Sequence, residues 1–182
     1  MITMLIVLDR DGVINFESDE YIKSPDEWIP IPGSLAAIAR LKAAGHTVVI
    51  ATNQSGIARG LYTHEMLATI HVKMHRMLAE VGGAVDGVFY CAHHPDVHCD
   101  CRKPEPGLFY QIAAAHPVDW RNAVLVGDAI RDIIAAQRVG CRGVLVRTGR
   151  GNLHEDNART FPEVEIYDDL ADFADALLLK NG

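Results

Sequence analysis

A chain of 182 residues is long enough to bury a full core in one domain, and 49% apolar with 23% charged residues excludes a disordered polymer. Its formal charge of −7 argues against nonspecific binding to nucleic acid or anionic membranes, leaving only a local basic pocket as a site for anions. No apolar run reaches the ~20 residues of a membrane span, and Asp9, Arg10 and Asp11 cut the first run too short for a signal peptide. The expectation is a cytoplasmic, monomeric single domain over residues 1–182, with a small-molecule partner and neither nucleic acid nor membrane.

Met4 to Leu8 form an unbroken apolar run that enters Asp9-Arg10-Asp11-Gly12. Such a run suits a strand covered on both faces, as in a parallel sheet. Residues 12–32 are polar and turn-rich, a connection long enough to expect function from it. Ser34 is expected to cap a helix carrying Leu35, Ile38 and Leu41 and stopped by Gly45. Residues 47–51 read as a second strand, followed by Thr52-Asn53-Gln54-Ser55-Gly56. Residues 64–80 carry Leu67, Ile70, Met74 and Leu78 at helical spacing, and 85–90 read as a third strand. Pro106 opens a helix with Leu108, Phe109 and Ile112. Residues 123–126 form a fourth strand ending at Gly127-Asp128, 130–139 a helix, 143–147 a fifth strand, and 169–180 the last helix. Strands alternating with helices argue for a Rossmann-like α/β fold: a parallel central sheet flanked by helices, with no large cap domain.

In such sheets ligands bind beyond the carboxyl ends of the strands. Four of those ends carry polar groups: Asp9 and Asp11; Thr52 and Asn53; the loop leading to Arg102 and Lys103; and Asp128. Carboxylates to hold a hard cation such as Mg²⁺, with a lysine and short donors to neutralise phosphoryl oxygens, suit phosphoryl transfer. Three of the four cysteines fall within eleven residues, which points to a metal site and away from a disulfide framework. Cys91-x-His93 and Cys99-x-Cys101 offer three thiolates and an imidazole for tetrahedral Zn²⁺ in a loop over 91–101, and four protein ligands make such a site structural. By spacing alone His94 and His98 are rival ligands.

Asp9-Arg10-Asp11-Gly12-Val13, Thr52, Lys103, and Gly127-Asp128 with Asp132 resemble, in order and placement, the four motifs of the haloacid dehalogenase (HAD) superfamily of phosphohydrolases. The stretches 52–60, 91–95 and 99–107, with Val146-Arg147-Thr148-Gly149, are similar to those of the D-glycero-D-manno-heptose 1,7-bisphosphate 7-phosphatases. Histidinol-phosphate phosphatases share the zinc loop and the four motifs; Ser55-Gly56 and Pro104-Glu105-Pro106-Gly107 favour the heptose enzymes. The resemblance implies a Mg²⁺-dependent phosphatase on the route to nucleotide-activated heptose for the bacterial envelope, as for lipopolysaccharide. It makes Asp9 the nucleophile and Asp11 the acid and base. Thr52 and Lys103 hold the phosphoryl group, and Asp132 supports the metal or orients Lys103. Mg²⁺ is expected between Asp9, Asp128 and the backbone carbonyl of Asp11, and His93 is selected as the fourth zinc ligand. Asp19, Tyr21, Asn53, Gln54, Ser55, Arg102 and Lys103 are expected at the substrate, with Arg102 suited to a second, non-reacting phosphate. Ala129 departs from the family, which often has lysine there.

The remaining candidates have plainer readings. His71 and His75 are expected to be an ordinary helix face, and Cys141 a packing residue. Arg147, Gly149, Arg150 and Gly151 are expected in a solvated loop. A noncatalytic binding module on this fold would lack Asp9, Asp11, Lys103 or Asp128, and all four are present.

Overall fold

Leu5, Ile6, Val7 and Leu8 are all buried, as a strand covered on both faces requires. The computed structural model describes residues 3–180. The strands are β1 (Leu5–Leu8), β2 (Thr47–Asn53), β3 (Gly87–Cys91), β4 (Val124–Gly127), β5 (Arg142–Val146) and β6 (Glu165–Tyr167). The helices are α1 (Ser34–Ala43), α2 (His64–Glu80), α3 (Gly107–Ala115), α4 (Ile130–Val139), α5 (Gly151–Ala158) and α6 (Leu170–Lys180). The strands pair in parallel in the order β3-β2-β1-β4-β5-β6.

Side-chain alternation sorts the core into two layers. Ile6, Leu8, Val48, Ile50, Val124 and Val126 pack against Ile38 and Leu41 of α1, Ile70 and Met74 of α2, and Phe173 and Leu177 of α6. Leu5, Val7, Val49, Ala51 and Leu125 face Leu108, Phe109 and Ile112 of α3 and Ala135 and Ala136 of α4. Truncating any of these buried leucines to alanine would cost about 2–5 kcal/mol. No helix among the described residues is long and apolar enough to cross a membrane.

Several expectations change. Ser34 is the first residue of α1 and does not cap it; Gly33, at φ 85°, stands at the cap. The Ser34 hydroxyl donates instead to the buried Ile14 carbonyl at 2.6 Å, which satisfies the long β1–α1 connection. That connection is tied down elsewhere too, for Trp28 is fully buried, and Lys73 Nζ of α2 donates to the Pro25 and Trp28 carbonyls at 2.7 and 2.8 Å. Gly151 opens α5 where a loop was expected, and β6 adds a sixth strand at the sheet edge.

Candidate functional site

The crossovers run one way from β1 through β2 to β3, and the other way from β4 through β5 to β6, so a crevice opens between β1 and β4. Asp9 and Asp128 each follow the last residue of those strands and are buried. The Asp9 N–H donates to the Val126 carbonyl at 2.9 Å, which locks the two strand ends together. Thr52, near the end of β2, is buried beside them.

Lys103 comes from the loop after β3. Its backbone is clamped by Asn53, whose Nδ2 donates to the Lys103 carbonyl and whose Oδ1 accepts the Lys103 N–H, both at 3.0 Å. The fully buried Lys103 Nζ then lies 3.2 Å from Asp9 Oδ1 and 2.7 Å from Asp132 Oδ1. Asp132 Oδ2 accepts the Ala129 N–H at 3.1 Å, so this carboxylate both caps α4 and orients Lys103. Gly127 makes room for it: a Cβ there would stand 2.3 Å from the Asp132 carboxyl.

Ligand oxygens of Asp9, Asp128 and Asp132 lie within 4.8 Å of one another, three carboxylates against one lysine in direct contact. Burial, followed by the Asp9 charge, pushes Asp128 up to about 8. Burial also pushes Asp9 up to about 6, with Lys103 opposing and Asp132 adding to the rise. Asp128 Oδ2 accepts the Arg150 N–H at 2.9 Å, while its Oδ1 is buried without a hydrogen-bond partner. Crowded, desolvated oxygens with one lone acceptor suit a hard divalent cation. Asp132 is already engaged at both oxygens, so Asp9 and Asp128 are the side chains free to hold it. The Asp11 carboxylate is not part of this cluster.

Asp11 is held from another side. Arg10 Nε and Nη2 donate to it at 3.0 and 2.9 Å, Asn15 Nδ2 at 2.8 Å and Gln54 Nε2 at 2.9 Å. Burial works against its ionised form, but the Arg10 charge and these hydrogen bonds outweigh it and keep Asp11 below the usual carboxylate range. Arg10 is itself fully buried and lies 3.2 Å from His71 Nε2. Burial and the Arg10 charge push His71 down to about 4, so the neutral ring accepts the Arg10 proton at Nε2 and carries its own on Nδ1. His71 is thus a support of the site, and does more than the ordinary helix-face residue expected. The Tyr62 hydroxyl donates to Gln54 Oε1 at 2.6 Å and completes the network. Arg10, Tyr62 and His71 were not singled out from sequence for the site. A usable signal existed for His71, which falls on the apolar stripe of α2 with Leu67, Ile70, Met74 and Leu78.

The cleft of about 260 Å³ above Asp9 is lined by the expected Asp11, Asp19, Tyr21, Thr52, Asn53, Gln54, Ser55 and Arg102. Gln54 donates to Asp11 and Thr52, and with Asn53 it spends its amide on other protein groups. Asp19 is exposed and accepts from Arg150 Nη2 at 2.8 Å, while Glu17 accepts from Arg150 Nε at 2.7 Å. Tyr21 adopts φ 64° and has the Arg59 guanidinium over its ring. Gly149 and Arg150 are therefore built into the site, whereas Arg147 pairs with Glu155 and Asp168. Gly149, at φ 58°, is required there, because a Cβ would stand 2.2 Å from Asp128 Oδ2. Ala129 is buried and makes no cationic contact; Arg131, two residues on, lines the cleft instead.

The thiol cluster also assembles. Sγ of Cys91 lies 3.0 Å from that of Cys101 and 3.7 Å from that of Cys99, and His93 Nδ1 lies 3.4 and 3.2 Å from Cys91 and Cys101. Cys99 to Cys101 is 3.8 Å. Tetrahedral Zn²⁺ bonds imply ligand–ligand edges of roughly 3.5–3.8 Å, so the four atoms fit zinc with a small expansion. His94 is turned away, its Nδ1 accepting the Asp96 N–H at 3.2 Å. Cys141 lies apart and packs against the α3–α4 layer, as expected.

The chain is similar to curated proteins over nearly its whole length. D-glycero-β-D-manno-heptose-1,7-bisphosphate 7-phosphatase of Bordetella bronchiseptica is 52% identical over 174 residues, 96% of this chain and 97% of the relative. That of Pseudomonas aeruginosa is 53% identical over 175 residues, with the same coverage. The chain belongs to this phosphatase family. The HAD-hydrolase-like family model matches residues 100–173. The crystal structure of D,D-heptose 1,7-bisphosphate phosphatase from B. bronchiseptica, complexed with magnesium and phosphate, superposes with a TM-score of 0.94 at 50% identity. The match covers 98% of this chain and 99% of that one. Membership makes this chain a phosphoric monoester hydrolase, and the magnesium in the B. bronchiseptica structure agrees with the donor set at Asp9 and Asp128.

Proposed function

We propose that this chain removes the phosphate at carbon 7 of D-glycero-β-D-manno-heptose 1,7-bisphosphate through a phosphorylated Asp9. The observation that carries the reading is the buried Asp9 carboxylate at the floor of the cleft, 3.2 Å from Lys103 Nζ and crowded by Asp128. Asp9 Oδ attacks phosphorus while the bond from phosphorus to the sugar oxygen breaks, and that oxygen takes its proton from Asp11. A water then attacks the same phosphorus, gives a proton back to Asp11, and releases Asp9 and inorganic phosphate. Thr52 and Lys103 hold the phosphoryl oxygens throughout, Lys103 being aimed by Asp132 and Asn53. The Arg10 contact favours ionised Asp11, the form the second step needs. A phosphate dianion arriving beside Asp11 raises its proton affinity for the first.

Mg²⁺ on Asp9, Asp128 and the Asp11 carbonyl would supply shielding between the nucleophile and the phosphate dianion. Zn²⁺ on Cys91, His93, Cys99 and Cys101 would stiffen the loop that ends in Arg102 and Lys103. All four cysteines are free thiols, in keeping with a reducing cytoplasm. We assign a working monomer, to be checked by light scattering. The test of function is parallel steady-state assay, with Mg²⁺ and zinc-loaded protein, of both anomers of the heptose bisphosphate and of histidinol phosphate. A kcat/KM for the β-bisphosphate well above the others is expected. Equal or better turnover of histidinol phosphate would overturn the assignment.

A further inference from the structure

The cleft contains two guanidiniums that make no direct ion pair, although Asp132, Asp9 and Asp128 lie near enough to favour the charge of Arg131. Among its arginines, Arg150 is engaged by Glu17 and Asp19, and Arg59 lies over the Tyr21 ring. Arg102 and Arg131 have no ion pair among the described residues, yet Arg102 Nη1 and Arg131 Nε are buried without hydrogen-bond partners. They come from different elements, the zinc loop and the first turn of α4, and line the same cleft as Asp9. Buried N–H donors left unmade cost free energy in the empty protein, and at Arg102 burial and the Arg131 charge add to that cost. An anion entering between them offsets these penalties. Planar forks suit a phosphate, which can accept bidentate bonds from each.

We propose that Arg131 is a specificity-determining residue, forming with Arg102 a two-guanidinium seat for the non-reacting phosphate of a sugar bisphosphate. This rests on the reading of the cleft as a bisphosphatase site. The reacting phosphate has its own cation in Lys103, fixed beneath Asp9 by Asp132. The backbone that carries Arg131 is held in place. Arg131 is the second residue of α4, and the neighbouring Asp132 side chain pins that turn by accepting the Ala129 N–H.

The test compares Arg131→Ala and Arg131→Lys with the unaltered protein on heptose 1,7-bisphosphate and heptose 7-phosphate. Losing one charged fork should raise KM for the bisphosphate about 10- to 100-fold, with a much smaller fall in kcat. The rise in KM for the 7-phosphate should be several-fold smaller, and Arg131→Lys should recover part of the loss. Calorimetric binding to catalytically dead Asp9→Asn protein supplies a readout free of turnover. There, adding Arg131→Ala should weaken the bisphosphate by a similar factor and largely erase its advantage over the 7-phosphate. Equal weakening of both ligands, or none, overturns the seat whatever the turnover assays show. Preference of the unaltered enzyme for histidinol phosphate overturns the functional reading, and the calorimetry still decides the seat. Should Arg131→Ala lose its circular dichroism signal, Arg131→Gln carries the same comparison.

Discussion

Two clusters of ligand atoms lie in this molecule, and they are built on opposite plans. Asp9, Asp128 and Asp132 are all buried and issue from strand ends or the first turn of α4, so the sheet itself brings them together. Of the other four, only Cys91 ends a strand, and His93 is exposed. Among the few backbone bonds inside their loop are Val97 to His94 and Cys99 to Val97. The difference separates the work proposed for each metal. A hard cation on a preformed carboxylate floor supplies chemistry and leaves the fold alone. A soft, four-coordinate ion on a loop supplies the structure that the loop lacks. The clusters meet because Cys101, Arg102 and Lys103 are consecutive, and Asn53 clamps the last of them to the end of β2.

The largest expected effects on turnover fall on the carboxylate side. Asp9→Asn should lower kcat by at least about 10³-fold, since no other group takes the nucleophile's place. Its circular dichroism and zinc content should match the unaltered protein. Folded Asp9→Asn with more than a few per cent of normal turnover would end the covalent mechanism. Lys103→Met should depress kcat by roughly 10²–10³-fold, the loss seen for one preorganised donor. An effect confined to KM would move Lys103 out of the reacting centre.

On the thiolate side the order reverses, with stability falling first. Cys101→Ser should strip the zinc and cost about 2–4 kcal/mol, roughly 5–15 °C in Tm for a chain of this size. Activity should fall with it, because the loop hands its order on to Lys103. Metal analysis after dialysis against a weak chelator should find about one zinc per chain in the unaltered protein, and none with full activity would refute the site. Asn53→Ala separates the two regions. It removes the clamp while keeping the zinc, and should lower kcat about tenfold through two lost hydrogen bonds. Loss of zinc in Asn53→Ala would mean that the clamp supports the loop and not Lys103.

The strand ends were legible because buried apolar runs stop abruptly at carboxylates or short polar residues, and because cysteine spacing is nearly independent of tertiary detail. Less visible were elements whose apolar signal is weak. β6 has three half-buried residues, and α5 turns Leu153 out to solvent at 81% exposure. The support network was hidden for another reason. Arg10 reaches His71 across 61 residues of sequence, and Gln54 across 44, the first a proximity that the packed α2 creates and the second one that the pairing of β1 with β2 creates. Arg131 shows the same limit, for the helix over 130–139 was foreseen but not which of its side chains enters the cleft.

The smallest expected effect tests the carboxylate floor by pH. In metal-free protein Asp128 is pushed up to about 8 from a model-compound value of 3.8, first by burial and then by Asp9. The native state therefore holds that proton more tightly than the unfolded state, and stability falls as pH rises across that interval. Asp9 acts in the same direction but only up to about 6. His71 works the other way, since holding it neutral adds stability as pH rises from about 4 to its unfolded value of 6.5. Between pH 6.5 and 8 the Asp128 contribution stands clear of both. Metal-free unaltered protein should lose several degrees of Tm over that window, while Asp128→Asn, neutral at every pH and still able to accept the Arg150 N–H, should lose much less. Mg²⁺ replaces the proton as the partner of Asp128, so its stabilising increment should grow from pH 6.5 to 8 in the unaltered protein and shrink in Asp128→Asn. Parallel Tm profiles for the two proteins would show that the carboxylate floor carries no uncompensated charge, and would remove the distinction drawn between the two clusters.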